Sequence, residues 1–262
     1  MRKSTNMFHD ALVSFAERRD IIMTFRSICI AVYVFFYLIF TIPTRARLKK
    51  LENTNPQEAS HIAQEHIQKV FKHLLKISGV TVEVNGLENI PEEASLFVGN
   101  HSSYFDIIVT GATIPGGVGF VAKDSLGKIP GLSSWMKRIH CLFLDRSDVR
   151  KGLQTILEGV EYLKEGYSMC IYPEGTRSTT GELGEFKGGS LKMAQRAKAP
   201  VVPVAITGTR DIFENNPGLR VYPSHVTISF GKPFKFSDLP VAEKKFAGEH
   251  AKKAIEDMLA QQ

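Results

Sequence analysis

Residues 95–106 read SLFVGNHSSYFD, and the change of pattern inside this stretch indicates the fold class. Its first part, SLFVG, is a short β-rich run, which predicts a strand. The residues that follow are small and polar, and Ser103 is a good N-cap for a helix that begins directly after it. A strand that leads at once into a helix is typical of an α/β domain.

The same alternation continues along the chain beyond Gly79. Strands are predicted at residues 80–84, 95–99, 118–122, 141–144, 169–172, 201–206 and 226–230. Helices are predicted near residues 51–78, 103–114, 125–138, 148–165 and 188–198. Strands that alternate with helices predict an α/β fold with a mixed, partly parallel sheet that is flanked by helices.

The N-terminal part of the chain predicts a hydrophobic helical membrane anchor. Residues 28–42, ICIAVYVFFYLIFTI, hold no charge. A helix of this length is roughly 22 Å long, whereas a hydrocarbon core is roughly 30 Å thick. The segment therefore either spans a thinned bilayer or lies in it as a shallow, re-entrant segment. A secretory signal is the competing interpretation, but Pro43 and RARLKK follow the run and no clear small-residue cleavage site is present.

Basic residues beside the anchor indicate which side of a membrane it faces. Four of them follow the apolar run, namely Arg45, Arg47, Lys49 and Lys50. They suit an anionic cytoplasmic leaflet, which predicts the cell inner (cytoplasmic) membrane with the α/β domain on the cytoplasmic side. Arg18 and Arg19 lie on the other side of the run, so the orientation signal is mixed. A merely solvated face is the alternative for all of these charges.

Length and composition set the outer limits of the interpretation. The 262 residues divide into a predicted membrane-anchoring helical region at 1–78, an α/β domain at 79–240 and a C-terminal helix at 241–262. The chain has 33 Lys and Arg against 27 Asp and Glu, and its net charge of +6 favours anionic partners. The three cysteines are far apart and form no CxxC motif, so we expect reduced thiols and no zinc site.

His101 and Asp106 are a candidate base and orienting acid. Five positions on a regular helix turn through about 500°, so a continuous helix would hold the two side chains roughly 140° apart. They meet if His101 lies in the turn after the strand and Asp106 lies in the first turn of the next helix. With Ser103 as N-cap, Asp106 falls at position N3, where it can instead merely bind backbone N–H groups as in a capping box. The spacing leaves both interpretations open.

The chemistry of such a pair is general-base catalysis. Histidine titrates near neutrality, and a carboxylate on its far nitrogen fixes the tautomer and stabilises the imidazolium. Ser102 and Ser103 suggest a serine hydrolase as an alternative, but neither lies in a G-x-S-x-G motif. A metal site would need more converging ligands than the local sequence offers.

Two further polar motifs directly follow predicted strands. FLDR, residues 143–146, ends in Arg146, whose guanidinium can bind phosphate through two hydrogen bonds. An ordinary surface salt bridge is the alternative. YPEGTRS, residues 172–178, contains the turn residues Pro173 and Gly175, the carboxylate of Glu174, and the donors Thr176, Arg177 and Ser178. Such a loop suits a polyol phosphate, and a simple polar turn is its alternative.

The last motif, VVPVAITGT at residues 201–209, predicts a mostly buried strand. Pro203 indicates an edge, a bulge or a strand end, because proline lacks the N–H group of the sheet ladder. The motifs at 100–106, 143–146 and 172–178 all fall at the carboxyl ends of strands, where α/β sheets usually build their sites. We therefore expect these side chains to lie close together.

Taken in order, NHSSYFD, FLDR, YPEGTRS and VPVAITGT resemble the motifs of the glycerolipid acyltransferase family. The match covers roughly residues 95–210, and a hydrophobic N-terminus is also typical of that family. These ordered blocks are highly specific for the family and much less specific for the acceptor that it uses.

The resemblance implies direct transfer of a fatty acyl group from acyl-CoA or acyl-carrier protein to the free hydroxyl of lysophosphatidic acid, at a phospholipid membrane. His101 would take the proton from that hydroxyl, Asp106 would orient His101, and Arg146 would bind the acceptor phosphate. The other residues implied at the acceptor are Glu174, Gly175, Thr176, Arg177 and Lys123. No metal, redox cofactor or nucleic acid is implied.

Other functions share most of these features. The same chemistry could act on glycerol-3-phosphate, another lysophospholipid or a lyso-ornithine lipid. A lipid or thioester hydrolase would use water in place of the acceptor, and would release thiol without one. A non-catalytic lipid-binding protein would be unaffected by His101→Ala.

Overall fold

The computed structural model describes residues 2–145, 148–187 and 189–262, and the side chains from Asp20 onward apart from Val149 and Leu219 within those ranges. Its helices are α1 (Arg2–Phe40), α2 (Ile42–Glu52), α3 (Pro56–Ser78), α4 (Phe105–Thr113), α5 (Leu132–Arg138), α6 (Val149–Lys164), α7 (Lys192–Ala197) and α8 (Ala247–Leu259). Its strands are β1 (Thr81–Asn85), β2 (Leu96–Gly99), β3 (Gly119–Lys123), β4 (Leu142–Leu144), β5 (Met169–Ile171), β6 (Val201–Thr207) and β7 (His225–Phe230).

The predicted α/β fold is confirmed, and every predicted strand forms with ends that shift by no more than one residue. Two predicted helices are interrupted. The segment at 51–78 is divided, because α2 ends at Glu52 and α3 begins at Pro56. The segment at 125–138 divides into a 3-10 turn, Asp124–Lys128, and α5. Pro130 and Gly131 separate the two parts, and Gly131 has a φ of 82°, which a residue with a side chain rarely adopts.

The strands form one mixed sheet in the order β1-β7-β6-β2-β5-β3-β4. From β6 to β4 every neighbouring pair is parallel. Strand β7 runs antiparallel to β6 and parallel to β1. The carboxyl ends of β6, β2, β5, β3 and β4 therefore meet at one edge of the sheet, which is where a site is expected.

Pro203 was expected at an edge, a bulge or a strand end, but it lies in the interior of β6, and β6 lies inside the sheet. Strand β6 pairs with β2 on one side, where Pro203 lies opposite Val98, and with β7 on the other. The ladder between β6 and β7 ends at the pair Val204–Phe230. Because Pro203 lies just beyond that end, β7 does not need a hydrogen bond from its nitrogen.

Two hydrophobic layers cover the two faces of the sheet. One layer joins α3, α4 and α5 to the sheet through side chains such as Ile67, Phe105, Trp135, Phe97 and Ile228. The other joins α6, α7 and α8 to it through side chains such as Val160, Met193, Ile255, Leu96 and Met169. Successive residues such as Leu96 and Phe97 belong to opposite layers, as the two-residue period of a strand requires.

The N-terminal helix α1 lies alongside this domain. Near its middle, Asp20 pairs with Arg220 at 2.7 Å and accepts a hydrogen bond from Tyr222 Oη at 3.0 Å. Just after its end, Thr41 Oγ1 accepts a hydrogen bond from Trp135 Nε1 at 3.2 Å. The segment Asp20–Phe40 is long and apolar enough to cross a membrane by length and composition, with a mean hydropathy of 2.0.

Candidate active site

The carboxyl end of β2 is fixed to β6 by a buried asparagine. Asn100 Nδ2 donates to the carbonyl oxygen of Ile206 at 2.8 Å, and Asn100 Oδ1 accepts from the N–H of Ile206 at the same distance. These two hydrogen bonds join Asn100, the residue that follows β2, to the backbone of the neighbouring strand β6. The chain then turns, and His101 lies at the carboxyl edge of the parallel strands.

His101 contacts Asp106 directly. Nδ1 of His101 lies 2.9 Å from Oδ2 of Asp106, whose side chain is fully buried. The same oxygen accepts the backbone N–H groups of Ser102 at 2.7 Å and Ser103 at 2.8 Å. A charged carboxylate on Nδ1 assigns the imidazole proton to that nitrogen, so Nε2 carries the lone pair that can accept a proton.

The second carboxylate oxygen of Asp106 is also bound. Thr209, which is buried just after β6, donates its hydroxyl to Oδ1 at 2.6 Å. A buried carboxylate is costly unless its lone pairs are used, and hydrogen bonds to the charged form offset that cost. Four donors from two segments of the chain, residues 101–103 and Thr209, therefore hold the Asp106 carboxylate in one orientation.

The capping and pairing interpretations of Asp106 describe the same arrangement. Helix α4 begins at Phe105, so Asp106 lies in its first turn while His101 stays outside the helix. Asp106 reaches back to the N–H of Ser103, and Ser103 Oγ accepts the N–H of Phe105 at 3.0 Å. The turn that starts α4 thus places a carboxylate oxygen against His101.

The ring of Tyr172 forms a wall for the His101 imidazole. The two ring centres are 4.3 Å apart and the planes differ by 17°. Burial raises the pKa of Tyr172 well above its ordinary value, and its hydroxyl lies 3.2 Å from Thr110 Oγ1. Tyr172 therefore stays neutral, and it restricts the tilt of the imidazole.

The loop after β5 locks onto the backbone of His101. Glu174 accepts the N–H of His101 at 2.8 Å and the N–H of Gly184 at 2.9 Å, one on each oxygen. The N–H of Ser178 donates to the carbonyl oxygen of His101 at 2.8 Å. Both backbone polar groups of His101 are therefore held by this loop, and Glu174 supports the turn with both of its carboxylate oxygens.

Arg177 is held beside the first turn of α4. Its Nη1 donates to Glu214 Oε1 at 3.0 Å, and its guanidinium lies 3.7 Å from the ring centre of Tyr104. Glu214 also accepts the hydroxyl of Ser103 at 2.6 Å and the N–H of Tyr104 at 2.9 Å. One edge and one face of the guanidinium are thereby fixed, while the Arg177 side chain remains 34% exposed.

The other predicted binding residues have less defined positions. Gly175 adopts a φ of 76° in the tight turn, and Thr176 is exposed beside it. Lys123 is exposed at the carboxyl end of β3, on the same edge of the sheet as His101. Arg146 lies outside the described residues. The structure thus brings together His101, Asp106, Glu174 and Arg177.

Three residues of the site were not predicted as site residues from the sequence. Thr209 and Tyr172 lie within quoted motifs, yet no local pattern shows that one binds Asp106 and the other stacks on His101. Glu214 lies in no motif and is separated from Arg177 by 37 residues, so only the folded chain reveals the pair. Among the described residues, no three His, Cys, Asp or Glu side chains are grouped to hold a metal ion.

Comparisons with known proteins identify relatives of this chain. A family model described as "Acyltransferase" matches residues 81–207. The chain is 32% identical to a 1-acyl-sn-glycerol-3-phosphate acyltransferase of Saccharomyces cerevisiae over 76% of its own length and 66% of that protein, just under two thirds of it. It is 30% identical to a probable 1-acyl-sn-glycerol-3-phosphate acyltransferase of Mycoplasma genitalium, with 72% of each covered.

A solved structure has the same architecture. The crystal structure of the 1-acyl-sn-glycerophosphate (LPA) acyltransferase PlsC from Thermotoga maritima matches with a TM-score of 0.74 at 26% sequence identity. The match covers 91% of this chain and 98% of that one.

Proposed function

This chain belongs to the acyltransferase family, and we propose that it transfers a fatty acyl group from a thioester donor to the free hydroxyl of 1-acyl-glycerol-3-phosphate, giving phosphatidic acid. The observation that carries the proposal is the 2.9 Å contact between His101 Nδ1 and the buried carboxylate of Asp106 at the carboxyl edge of the sheet. The relatives named above support this acceptor, since their names specify 1-acyl-glycerol-3-phosphate.

The proposed reaction uses His101 as a general base. The proton of the acceptor hydroxyl moves to Nε2 of His101 while the hydroxyl oxygen forms a bond to the thioester carbonyl carbon. The carbon–sulfur bond then breaks, and the departing thiolate takes the proton from the imidazolium. Asp106 stabilises the imidazolium through Nδ1, so the proton can be held on His101 between the two steps.

Arg177 is the proposed ligand of the acceptor phosphate. Stacking on Tyr104 and the pair with Glu214 orient its guanidinium near the first turn of α4, which begins four residues after His101. A guanidinium whose orientation is already fixed loses little side-chain entropy when it binds a phosphate. Arg146 and Lys123 stay predicted as further phosphate contacts, and Glu174, Gly175 and Thr176 as parts of the acceptor pocket.

Replacing Glu214 by glutamine should weaken acceptor binding through Arg177. Glutamine keeps an acceptor for the N–H of Tyr104 but removes the charge that holds the Arg177 guanidinium. We expect the KM for lysophosphatidic acid to rise about 10-fold and kcat to change less than about 3-fold. Initial rates measured over a range of acceptor concentrations separate the two constants.

The double substitution with Arg177→Ala tests how Glu214 acts. If Glu214 works through Arg177, adding Glu214→Gln to Arg177→Ala should cause little further loss. Full additivity of the two losses would contradict the assignment, because it would mean that Glu214 supports the site only through Ser103 and Tyr104.

We propose that α1 lies in the membrane interface rather than across the bilayer. The segment Asp20–Phe40 contacts the α/β domain near both of its ends, and at 1.5 Å per residue those ends are about 30 Å apart. If the helix spanned the bilayer, one of its ends would lie on the far side of the membrane and could not contact the α/β domain. The outward side of α1 is apolar and exposed, with large side chains that include Phe25, Phe35 and Phe40.

The basic residues after α1 support the same placement. Arg47, Lys49 and Lys50 are exposed on α2 and can meet anionic headgroups. Arg45 instead donates to the carbonyl oxygen of Leu38 at 2.7 Å and so holds the end of α1. Attachment to the cytoplasmic membrane, with the sheet on its cytoplasmic side, is therefore part of the proposal.

Replacing Phe35 and Phe40 by glutamine should release the protein from vesicles. Two exposed phenylalanines contribute roughly 3–6 kcal/mol when buried in an apolar phase, so we expect partition into phosphatidylglycerol-containing vesicles to fall at least about 100-fold. Flotation of the full chain measures this partition. Val241→Gln is the matched control, since Val241 is an exposed apolar residue distant in sequence from α1. Unchanged flotation of the double variant would exclude this placement.

An acceptor panel tests the proposed activity. The full chain is assayed in vesicles with acyl-CoA or acyl-carrier protein, and with lysophosphatidic acid, glycerol-3-phosphate or another lysophospholipid as acceptor. We expect the highest kcat/KM for lysophosphatidic acid, with phosphatidic acid as product. A higher kcat/KM for another acceptor would move the function to that lipid, and turnover without any acceptor would make the protein a hydrolase.

A further inference from the structure

A lysine-rich cavity outside the site described above has no assigned role. Its volume is about 740 Å³, and it lies between the loop that leads into α7 and the segment around α8. Five lysines line it, and we call it the lysine cavity after them: Lys187, Lys192, Lys244, Lys245 and Lys252. Only two acidic residues, Glu185 and Glu249, are among the described residues that line it, so the cavity carries excess positive charge.

The lysine cavity lies on the face of the sheet opposite to the face that α1 packs against. Two of its lining residues, Leu191 and Ala247, belong to the hydrophobic layer that α6, α7 and α8 form with the sheet. The inward side chains of α1, such as Tyr37 and Leu38, pack against the opposite layer. The cavity is therefore placed for a water-soluble ligand rather than for the lipid acceptor.

One side of the lysine cavity touches the loop that holds His101. The N–H of Lys187 donates to the carbonyl oxygen of Pro173 at 3.0 Å. The Lys187 side chain lies so close to Gly175 that a Cβ at that position would come within 2.8 Å of Nζ. Glu174, which lies between Pro173 and Gly175 in the sequence, accepts the N–H of His101. A ligand in the cavity can thus extend along this loop toward the reacting groups.

Most of these lysines make no ion pair with a described residue, so their ammonium groups can bind an anion. Among the described residues, no carboxylate lies within 4.0 Å of the Nζ of Lys187, Lys192 or Lys244, and the contact of Lys252 with Glu256 is long, at 3.8 Å. Lysine ammonium groups bind phosphate as point charges. The cavity also contains the rings of Phe186 and Phe236, which offer an apolar surface for a planar base.

We propose that the lysine cavity binds the nucleotide end of a coenzyme A thioester, with lysines at the phosphates and the phenylalanine rings beside the adenine. This assignment rests on the proposed function, because a coenzyme A thioester would be the donor in the proposed acyl transfer. A volume of 740 Å³ lies in the range of small-molecule sites, about 300–1,000 Å³, whereas a carrier protein would need a broad surface of roughly 800 Å². The cavity therefore fits coenzyme A better than an acyl-carrier protein.

Kinetics with two donors test this assignment. One donor is acyl-CoA, and the other is an acyl-pantetheine thioester with the same chain and no nucleotide. For Lys244→Ala/Lys252→Ala we expect the KM for acyl-CoA to rise at least about 10-fold, with kcat and the reaction of acyl-pantetheine unchanged. Equal losses with both donors, or no loss with either, would overturn the proposal.

Neighbouring lysines provide a matched control. Lys253 follows Lys252 on α8 and pairs with Asp257 in the way that Lys252 pairs with Glu256, but it does not line the lysine cavity. Lys235, which pairs with Glu93 at 2.8 Å, also lies outside the residues that line the cavity. Lys235→Ala/Lys253→Ala removes the same charge and should leave the KM for acyl-CoA unchanged. If the control variant loses as much, the effect comes from net charge, and the cavity is not the site.

Direct binding separates this proposal from the proposed function. Titration calorimetry of the full chain with coenzyme A needs no acceptor, and we expect the Kd to rise at least about 10-fold in Lys244→Ala/Lys252→Ala but not in the control. A protein that transfers acyl groups but binds coenzyme A equally well in both variants would contradict the proposal. A loss confined to the acyl-carrier protein reaction would assign the lysines to a protein partner and would also contradict it.

Discussion

Replacement of His101 by alanine is expected to lower kcat/KM for acyl transfer by about 10³-fold or more while the fold stays intact. A positioned general base contributes about 10²–10⁴-fold, and the substitution removes Nε2, the proposed acceptor of the hydroxyl proton. The side chain makes one hydrogen bond and one ring contact, so its loss should cost the sheet and helices little. Initial rates with saturating donor measure the loss.

The control for His101→Ala must separate chemistry from folding. His250→Ala is a suitable one, since His250 lies on α8 and also makes a ring contact, in its case with Phe234. Both variants should keep the circular dichroism spectrum of the wild type. Retention of more than about a tenth of the wild-type kcat/KM by folded His101→Ala would mean that another group removes the proton.

Replacement of Asp106 by asparagine is expected to lower kcat by about 10²–10⁴-fold with a smaller effect on KM. The amide cannot accept hydrogen bonds at both positions, and its NH₂ group would turn toward either the backbone donors or Thr209. His101 then loses the charge that fixes its tautomer and stabilises the imidazolium. Rates measured under saturating acceptor and donor report this loss directly.

Thr209→Val is the matched variant for this prediction. Valine has nearly the shape of threonine and removes only the donor to Oδ1, so the carboxylate and its contact with His101 remain. We expect a loss of about 10-fold or less in kcat. If Thr209→Val lowered kcat as much as Asp106→Asn does, the carboxylate of Asp106 would contribute mainly by holding the turn. Its negative charge beside His101 would then not be its main contribution to kcat.

The sequence predicted the sheet because its strands and turns carry strong local signals. Buried strands such as SLFVG alternate with helical segments, and the predicted strands are bounded by polar, glycine or proline residues. Local signals failed at Pro203, because the end of a neighbouring ladder depends on the register between β6 and β7. They also failed at 125–138, where Pro130 and the positive φ of Gly131 divide the predicted helix.

The candidate site was likewise predicted from the sequence only in part. His101 and Asp106 are close in sequence, so helix geometry states the condition under which they meet, and the turn fulfils it. Thr209 and Glu214 reach the same turn from beyond β6, more than 100 residues later along the chain. No periodicity or spacing encodes contacts at that separation, because they depend on β6 lying next to β2 in the sheet.

The balance between thiol release and lipid product tests the central claim most directly. The full chain is incubated in vesicles with radiolabelled acyl-CoA, with and without lysophosphatidic acid, and free thiol, phosphatidic acid and free fatty acid are measured in the same samples. We predict one phosphatidic acid for each thiol released when lysophosphatidic acid is present, and almost no thiol release without it. Thiol release without the acceptor, matched by free fatty acid, would contradict acyl transfer by the His101–Asp106 pair.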